Sequence, residues 1–313
     1  MRNEKLLHAL HGRNQGRPPL WLMRQAGRYL PEYRALRARY SLHDLFFTPD
    51  LIVQVTKMPI DRFGFDAAIL FSDITVVYEA LGCELTFDEG PNIAMAKTLS
   101  YRPEALEPII EGIRLLRKEL KVPLIGFVGA PFTIATYCIE GGAEEALAWL
   151  RRDPATFRAL LDQIQEALLQ FSAAQREAGV DAFQIFDSWA NVLTHAEFHS
   201  FSLPYVTALV QQNNPMPTLF FMREAARYLT HIPCGISLDG TLSLPEARRL
   251  TSRPLQGDLA PDVLFKPPSV IQERVGALLS SMQGDPAFII NLAHGIKPGT
   301  PLEGIYALVE SVS

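Results

Sequence analysis

The chain has 313 residues, with 29 Lys and Arg against 34 Asp and Glu, so its formal net charge at pH 7 is −5. This acidic balance argues against a nucleic-acid partner, while 48% hydrophobic and 20% charged residues are typical of a globular protein with a sizeable core. The longest uncharged stretch, residues 122–139, is interrupted by two prolines and two glycines, so we expect no membrane-spanning segment.

Cysteine usage and the N-terminal segment bear on the compartment. Cys83, Cys138 and Cys234 are far apart, and no Cys-Xaa-Xaa-Cys or His-Xaa-Cys spacing occurs. We therefore expect reduced cysteines, no structural zinc site and no other metal site. The first residues lack the apolar core of a signal peptide, so the sequence predicts a cytoplasmic protein.

Short apolar segments alternate with longer segments of helical periodicity along the chain. The predicted strands are residues 20–23, 67–71, 124–128, 182–186, 218–222, 235–238, 254–257 and 287–291. The clearest predicted helices are residues 103–120, 154–178, 196–212 and 269–282. Strands that are apolar on both faces and joined by helices indicate a parallel sheet. No linker divides the chain, and no Gly-Xaa-Gly-Xaa-Xaa-Gly motif follows the first strand. Both observations argue against two doubly wound halves. The sequence therefore predicts an α/β fold with a single (β/α)8 barrel over residues 1–313.

A polar residue follows every predicted strand. In chain order these residues are Arg24, Asp73, Tyr137, Ser188 (after Asp187), Arg223 (before Glu224), Asp239, Asp258 and His294. In a (β/α)8 barrel these positions meet at the C-terminal mouth, where active sites are built. Singly, each has an ordinary explanation: Asp73 and Asp239 could cap helices, and His294 could be a core histidine. Their recurrence in phase with eight strands favours an active site at the mouth.

The segment after the first predicted strand is strongly basic although the whole protein is acidic. Five arginines and a single acid, Glu32, lie between residues 24 and 39: Arg24, Arg28, Arg34, Arg37 and Arg39. Guanidinium forks onto carboxylate or phosphate, and Gly27 would let backbone approach a ligand closely. The alternative is a solvated helix face. Placement at a barrel mouth favours an anion site for Arg24, Arg28 and Arg37, and we expect Arg34 and Arg39 to be exposed charges or contacts to a dimer partner.

The predicted mouth offers arginines, one carboxylate directly after an apolar strand, a tyrosine, a serine and a histidine. It offers no metal triad, no cysteine nucleophile and no obvious Schiff-base lysine. Such a site suits a polyanionic substrate and a reaction driven by positioning and electrostatics without a cofactor. A carboxylate such as Asp73 opposite several guanidiniums would stabilise a cation formed on the substrate, which indicates decarboxylation of a ring system with many carboxylates.

At these residues the chain resembles the uroporphyrinogen decarboxylase family. The matching motifs, in order from about residue 19 to 310, are WLMRQAGRYLPEYR, AAILFSDI, GFVGAPFTIATYCIEGG, QIFDSW, FSLPY, PLQG and INLAHGI. The resemblance implies a cofactor-free, cytosolic (β/α)8-barrel enzyme, usually a homodimer, that converts the four acetate side chains of uroporphyrinogen III into the methyl groups of coproporphyrinogen III.

The resemblance also assigns site residues. The substrate-binding pattern of the family falls on Arg24, Gln25, Ala26, Gly27, Arg28, Asp73, Tyr137, Ser188 and His294, and a further arginine in the first helix matches Arg37. Asp73 would accept the central pyrrole N–H groups, and the arginines would hold peripheral carboxylates. The proton donor stays open between Arg37, His294 and a water held by Arg24 or Arg37.

Some positions depart from the pattern that the resemblance implies. They are Gly240, Asp258, Ala260 and Ala293, and the segment 211–237 is shorter than expected. Two other interpretations stay open. One is a corrinoid-dependent methyltransferase of the same superfamily, which the absence of a His-Xaa-Cys pair disfavours. The other is a tetrapyrrole-binding protein that has lost its catalytic rate.

Overall fold

A computed structural model describes residues 2–88 and 90–313, and its centre is a curled parallel sheet. The sheet order is β1, β4, β5, β6, β7, β8, β9. The strands are β1 (Ala68–Ile69), β2 (Glu84–Phe87), β3 (Pro91–Ala94), β4 (Leu124–Gly129), β5 (Ala182–Phe186), β6 (Thr218–Phe221), β7 (Gly235–Ser237), β8 (Leu255–Leu259) and β9 (Phe288–Leu292). Leu20 forms a parallel bridge with Ile290 of β9, and the Asp66 amide donates to the Leu20 carbonyl at 2.9 Å. Residues 20–23 thus lie between β9 and β1, and the predicted (β/α)8 barrel is confirmed.

The first predicted strand is reduced to this bridge because the amides of Leu20, Leu22 and Met23 bind side chains, and only the Trp21 amide donates to the neighbouring strand, at the Ile290 carbonyl. The Met23 amide donates to Asn291 Oδ1 at 2.9 Å, and the Leu22 amide donates to Gln25 Oε1 at 3.2 Å. The Leu20 amide donates to a carboxylate oxygen of Asp66 at 2.9 Å. The segment is therefore held between its neighbours with little of a regular ladder.

Helices cover the outside of the sheet. They are α1 (Lys5–Leu10), α2 (Pro31–Arg37), α3 (Leu42–Phe47), α4 (Pro49–Phe63), α5 (Val77–Ala80), α6 (Glu107–Glu119), α7 (Pro131–Cys138), α8 (Gly142–Arg152), α9 (Pro154–Ala178), α10 (His195–Phe201), α11 (Leu203–Asn213), α12 (Leu244–Arg248), α13 (Pro268–Ser281) and α14 (Leu302–Val312). Residues 154–178 form a helix as predicted. The predicted helix 196–212 is instead two helices, because Ser202 between them has non-helical torsion angles and Pro204 restarts the chain.

Two connections differ from the pattern read in the sequence. Strands β2 and β3 form an antiparallel hairpin between β1 and β4, which was not predicted because only Leu85 of β2 is buried and the apolar signal is weak. The crossover from β6 to β7 contains the 3₁₀ helix Ala225–Tyr228 and no α-helix among its described residues. This short crossover lies within residues 211–237, the segment that is shorter than the family resemblance implies.

The barrel interior is filled in layers, and its N-terminal end is closed by α1. Trp21, Ile125, Leu219 and Ile289 pack with Leu6 and other apolar residues of α1 in one buried cluster. Higher in the barrel the interior becomes polar: Trp21 Nε1 donates to Gln256 Oε1 at 2.8 Å, and Gln256 Nε2 donates to Ser237 Oγ at 2.6 Å. Since buried polar groups persist where they are hydrogen-bonded, this layer fits below a polar site.

The alternation of inward and outward side chains continues from this interior toward the mouth. In β5 the inward series runs through residues 182, 184 and 186 toward Ser188, and in β6 the series 219 and 221 leads to Arg223. Because strand side chains alternate with period two, Ser188 and Arg223 share the phase of the barrel interior.

Two further observations concern the predictions from composition. Within the described part of the chain, no helix combines the length and apolar character needed to cross a membrane. Cys83, Cys138 and Cys234 are all free thiols, as expected.

Candidate active site

His294 follows β9 at the barrel mouth and is half-buried against the ring of Phe221, at a centroid distance of 5.7 Å. Burial lowers the pKa of His294 below its ordinary value of 6.5, and the positive charges of Arg24, Arg223 and Lys297 lower it further. Asp239 opposes the effect only in part. The imidazole is therefore neutral at pH 7 and lies in a positively charged environment.

Arg24 has a left-handed backbone with φ of 60°, which is uncommon for a residue with a Cβ. Its side chain extends over Gly295: a Cβ built on that glycine would lie 2.5 Å from Arg24 Cδ and 3.1 Å from Nε. Among the described residues its guanidinium has no hydrogen-bond or ion-pair partner, and the residue is exposed. Backbone strain of this kind collects at functional sites, and it brings Arg24 beside His294 as predicted.

Arg223 follows the fifth predicted strand, and the sequence assigned it no role. Its guanidinium carbon lies 4.7 Å from the ring centroid of Trp189, which follows Ser188. Within the described part of the protein it has no carboxylate partner, although its loop is fixed because the Glu224 amide donates to Asp239 Oδ2 at 2.7 Å. The inward phase of β6 is the signal that could have identified Arg223 as a third mouth arginine.

Asp73 caps the 3₁₀ helix Ile74–Val76, so the ordinary explanation considered for it is correct for one of its oxygens. Asp73 Oδ1 accepts hydrogen bonds from the Thr75 amide at 2.8 Å and from Thr75 Oγ1 at 2.5 Å. Oδ2 accepts none from the described residues, and Ser72 Oγ beside it is buried without a partner. The cap fixes the orientation of the carboxylate and leaves one oxygen for a ligand.

The segment Gln25 to Arg28 divides into structural and accessible positions. The Gln25 side chain is buried, accepts from the Leu22 amide and donates to the Ala67 carbonyl at 3.1 Å, so its side chain is used to close the barrel. Ala26 and Gly27 are half-buried, and Arg28 is exposed without a partner among the described residues. The substrate-binding assignment therefore falls on Arg28 by side chain and on residues 25–27 by backbone.

Arg34 has a role that the sequence did not predict. Its Nη1 donates to the carbonyl oxygens of Arg28 at 2.9 Å and Tyr29 at 3.0 Å. It is exposed, as expected for a surface charge, yet these bonds attach α2 to the arginine-bearing loop. The Arg39 guanidinium lies over the ring of Tyr40, 5.4 Å from the ring centroid. Its role at a dimer contact stays a prediction.

Arg37 is half-buried at the end of α2, where Nη1 donates to the Tyr40 carbonyl at 2.6 Å. The neighbouring Tyr33 packs against Phe71 at a centroid distance of 5.7 Å, two residues before Asp73. Burial raises the pKa of Tyr33, and the charges of Arg37 and Arg28 act in the opposite direction.

Tyr137 and Ser188 complete the predicted set. Tyr137, near the end of α7, lines an open cleft of about 460 Å³ together with residues of the β2–β3 hairpin, including Thr86 and Asn92. Ser188 is half-buried, and its hydroxyl makes no hydrogen bond with the described residues. The hairpin was missed by sequence reasoning and forms one wall beside Tyr137.

Asp187 is a buried anchor beneath this set. Its carboxylate accepts from Thr133 Oγ1 at 2.7 Å, from the Thr133 amide at 3.2 Å and from Ser202 Oγ at 2.5 Å. Burial raises the pKa of Asp187, while these hydrogen bonds partly offset the effect. The residue joins the end of β5, the start of α7 and the junction of α10 with α11, and thereby positions Ser188 and Trp189.

The departures from the family pattern are neighbours in space. A Cβ on Gly240 would lie 3.8 Å from the Asp258 carbonyl oxygen and 3.9 Å from Ala293 Cβ. The sequence predicted Asp258 directly after the seventh strand, residues 254–257. In the structure that strand is β8, and Asp258 lies inside it. Burial raises the pKa of Asp258. Ala260 precedes the 3₁₀ helix Pro261–Phe265. Because Gly240, Asp258 and Ala293 touch, we treat them as one coupled change in the mouth wall.

Comparisons with known proteins agree on one family. A family model described as "Uroporphyrinogen decarboxylase (URO-D)" matches residues 1–313. A protein named uroporphyrinogen decarboxylase from Protochlamydia amoebophila (strain UWE25) is 43% identical over 332 residues, covering 99% of this chain and 91% of the relative. A protein of the same name from Chelativorans sp. (strain BNC1) is 42% identical over 338 residues, covering 100% and 98%.

Solved structures show a shared fold. A methyltransferase from Methanosarcina mazei matches with a TM-score of 0.80, covering 99% of this chain and 97% of that chain at 21% identity. A B12-independent methionine synthase from Shewanella sp. W3-18-1 matches with a TM-score of 0.61 at 13% identity, covering 84% and 86%. At these identities the likeness concerns the fold alone.

Proposed function

The chain belongs to the uroporphyrinogen decarboxylase family, and we propose that it removes CO2 from the four acetate side chains of uroporphyrinogen III to give coproporphyrinogen III. The observation that carries this proposal is the charge arrangement at one barrel mouth. Arg24, Arg28 and Arg223 lack ion-pair partners among the described residues, and Asp73 keeps one carboxylate oxygen unbonded. A macrocycle with peripheral carboxylates and central N–H groups complements that arrangement.

In each round the substrate first takes up a proton on a pyrrole ring carbon, and the ring nitrogen then bears positive charge. Cleavage of the bond between the acetate CH2 and its carboxylate releases CO2, and the bonding electron pair moves into the ring. The exocyclic carbon then takes a proton to become methyl, and the ring carbon loses the proton gained first. The net change for each acetate is one proton consumed and one CO2 released.

Asp73 stabilises the cationic ring in this sequence. Its Oδ1 is held by Thr75, so Oδ2 is preoriented to accept pyrrole N–H hydrogen bonds. A fixed acceptor costs little reorganisation when positive charge develops on the ring, which is the usual source of electrostatic catalysis. Arg24, Arg28 and Arg223 hold the peripheral carboxylates and orient the acetate that is lost.

His294 delivers protons once substrate is bound. In the free protein burial and the charges of Arg24 and Arg223 hold its pKa low. Substrate carboxylates paired to these arginines would offset that charge and remove this part of the lowering, while burial, the larger cause, would still act on the pKa of His294.

Arg37 fits the donor role less well than the resemblance suggests. A guanidinium is a very weak acid, and Arg37 Nη1 already donates a hydrogen bond to the Tyr40 carbonyl. We assign Arg37 to the electrostatic environment of the mouth beside Arg28. An Arg37→Lys variant should keep part of the activity, whereas His294→Gln should lose most of it.

The role of Asp73 is tested with Asp73→Asn. The amide oxygen can still accept from Thr75, so the cap and the fold should be retained, while the negative charge under the macrocycle is lost. We expect a fall in turnover of at least about 10²-fold, the scale of losing one preorganised electrostatic group. Near-normal turnover by a folded variant would overturn the assigned role.

A methyltransferase reaction remains the principal alternative chemistry, and it would need a metal held at the mouth by histidine and cysteine. In the described part of the chain, the one group of potential metal ligands within reach of one another contains three histidines and no cysteine. No observation on the mouth therefore favours that reaction.

Assembly and compartment are also proposed from the family. We propose a cytoplasmic homodimer formed by a single-domain subunit of 313 residues. Free thiols at all three cysteines fit a reducing compartment. Sedimentation equilibrium of the full chain tests the assembly, and a monomer at micromolar concentration would refute it.

A further inference from the structure

Three histidines that the proposed decarboxylase site does not use lie together on the outside of the barrel. His195 and His199 lie one helical turn apart on α10, and His231 comes from the short crossover between β6 and β7. One ring nitrogen from each lies within 4.8 Å of those of the other two. The ring centroids of His199 are 4.5 Å from His195 and 4.8 Å from His231.

The sequence predicted no metal site because neither a Cys-Xaa-Xaa-Cys nor a His-Xaa-Cys spacing occurs in it. His195 and His199 have the i, i+4 spacing that places two imidazoles on one helix face. The third histidine is 32 positions after His199 and only the fold brings it close. The pair alone would have been too weak a signal, since two histidines do not define a site.

Two buried polar atoms at this cluster have no hydrogen-bond partner among the described residues, whereas His231 Nδ1 lies 3.4 Å from Thr230 Oγ1. His199 Nε2 is buried and has no hydrogen-bond partner among the described residues, and the hydroxyl of the adjoining Tyr228 is in the same state. The Tyr228 ring lies 5.5 Å from His195 and stacks on Phe198 at 3.8 Å. A buried imidazole nitrogen without a partner carries a desolvation cost, which a bound cation or an ordered water would remove.

An ordinary role as charged surface histidines does not explain the cluster. No carboxylate forms an ion pair with any of the three in the part of the chain that the structure describes, because Glu197 on the same helix is paired with Arg151 and Glu224 with Arg227. Three imidazoles at this separation would repel one another if protonated. As neutral rings they present lone pairs to a common point.

We infer that His195, His199 and His231 bind one divalent transition-metal ion of the group that prefers imidazole nitrogen, with Zn²⁺ as the probe. Zinc takes nitrogen ligands at about 2.0–2.1 Å, so the three rings need only small rotations to converge from their present separation. Three protein ligands would leave a fourth position for water.

The ion would join two segments that carry active-site residues. Helix α10 follows β5 and the Ser188–Trp189 turn, whereas His231 follows β6 and Arg223. The crossover bearing His231 has no α-helix in the described structure, and buried residues such as Tyr228 and Ile232 hold it against the barrel. A metal link here would add a direct connection between the loop of Arg223 and the loop of Trp189.

The test is zinc titration of the untagged full chain after removal of metal with a chelator, followed by calorimetry. We expect one Zn²⁺ per chain, and a Kd at least about tenfold weaker in His199→Gln and in His231→Gln, since losing a direct ligand should cost at least as much as losing an outer-shell partner. His8→Gln, an exposed histidine on α1, is the matched control and should bind as the unaltered chain does. Zinc that binds equally well to all three variants, or at no defined stoichiometry, would overturn the proposal.

A second measurement separates metal binding from any effect of the substitutions on folding. Zinc at about 100 times the Kd of the unaltered chain should raise the Tm of the unaltered chain and of His8→Gln, and raise the Tm of His199→Gln by a clearly smaller amount. Because neither measurement uses porphyrinogen, failure of the zinc site would leave the proposed decarboxylase reaction untouched. An equal Tm shift in all variants would also contradict the assigned ligands.

Discussion

Gly295→Ala tests whether the position of Arg24 matters for the reaction without changing any charged residue. The added Cβ would lie 2.5 Å from Arg24 Cδ, 3.0 Å from Cγ and 3.1 Å from Nε. Because three consecutive atoms are too close, rotation of the tip alone cannot relieve the clash and the whole side chain must turn away. A charge-assisted hydrogen bond is worth about 1.5–3 kcal/mol, so losing the Arg24 contact should lower kcat/KM by about 10- to 150-fold.

The assay is steady-state decarboxylation of uroporphyrinogen by the unaltered chain, Gly295→Ala, Arg24→Ala and the double variant. Gly276→Ala is the matched control, because a Cβ there meets nothing within 4 Å. If Gly295→Ala acts through Arg24, it should add little further loss in the Arg24→Ala background. Fully additive losses, or an unchanged kcat/KM in Gly295→Ala, would refute the reasoning.

Three other changes test the remaining parts of the site. Arg223→Ala should lower kcat/KM by about 10- to 100-fold because one arginine that holds substrate carboxylates is lost. The free energy of unfolding should change by no more than about 1 kcal/mol, the size of the cation–π contact with Trp189. An unaffected kcat/KM would show that Arg223 does not hold a substrate carboxylate. Asp187→Ala should lower the unfolding free energy in urea by about 2–4 kcal/mol because Thr133 and Ser202 lose their acceptor, and Asp187→Asn should cost less; equal costs would contradict this. His294 has a pKa below 6.5 in the folded protein, so proton uptake below that pH favours the unfolded state. Between pH 7 and pH 5, His294→Gln should therefore lose less unfolding free energy than the unaltered chain. Parallel losses by both proteins would contradict the lowered pKa.

The barrel could be predicted from the sequence because its strands are apolar on both faces and end in polar residues. Residues 182–186 and 154–178 form a strand and a helix with the predicted bounds. The first strand could be located but not its form, since its amides bind Asn291 and Gln25 side chains that only the fold brings near. The β2–β3 hairpin gave almost no signal because few of its side chains are buried.

The candidate site was predicted in its residues more than in their roles. Gln25 matched the binding pattern, yet its side chain closes the barrel, and Arg34 seemed a free charge, yet it fastens the Arg28 loop. Such roles depend on which backbone carbonyl lies within reach, which one sequence does not contain. Arg223 and Asp187 could be recognised in the sequence as polar residues that follow strands. The cation–π contact of Arg223 with Trp189 and the three hydrogen bonds of Asp187 depend on the fold, so the sequence did not predict them.

Three departures from the family pattern acquired a physical connection only in three dimensions. Gly240, Asp258 and Ala293 are far apart in sequence and adjoin one another in the mouth wall. Together they describe one part of the mouth wall, in which a small residue at 240 accompanies an added methyl group at 293.

The most direct test of the central claim is anaerobic incubation of the chain with uroporphyrinogen III, followed by oxidation and chromatography of the products. Decarboxylation predicts the successive appearance of hepta-, hexa- and pentacarboxylates and accumulation of the tetracarboxylate coproporphyrin, without added metal or cofactor. Recovery of the octacarboxylate unchanged, with substrate bound to the folded chain, would contradict the account and identify a tetrapyrrole-binding protein instead.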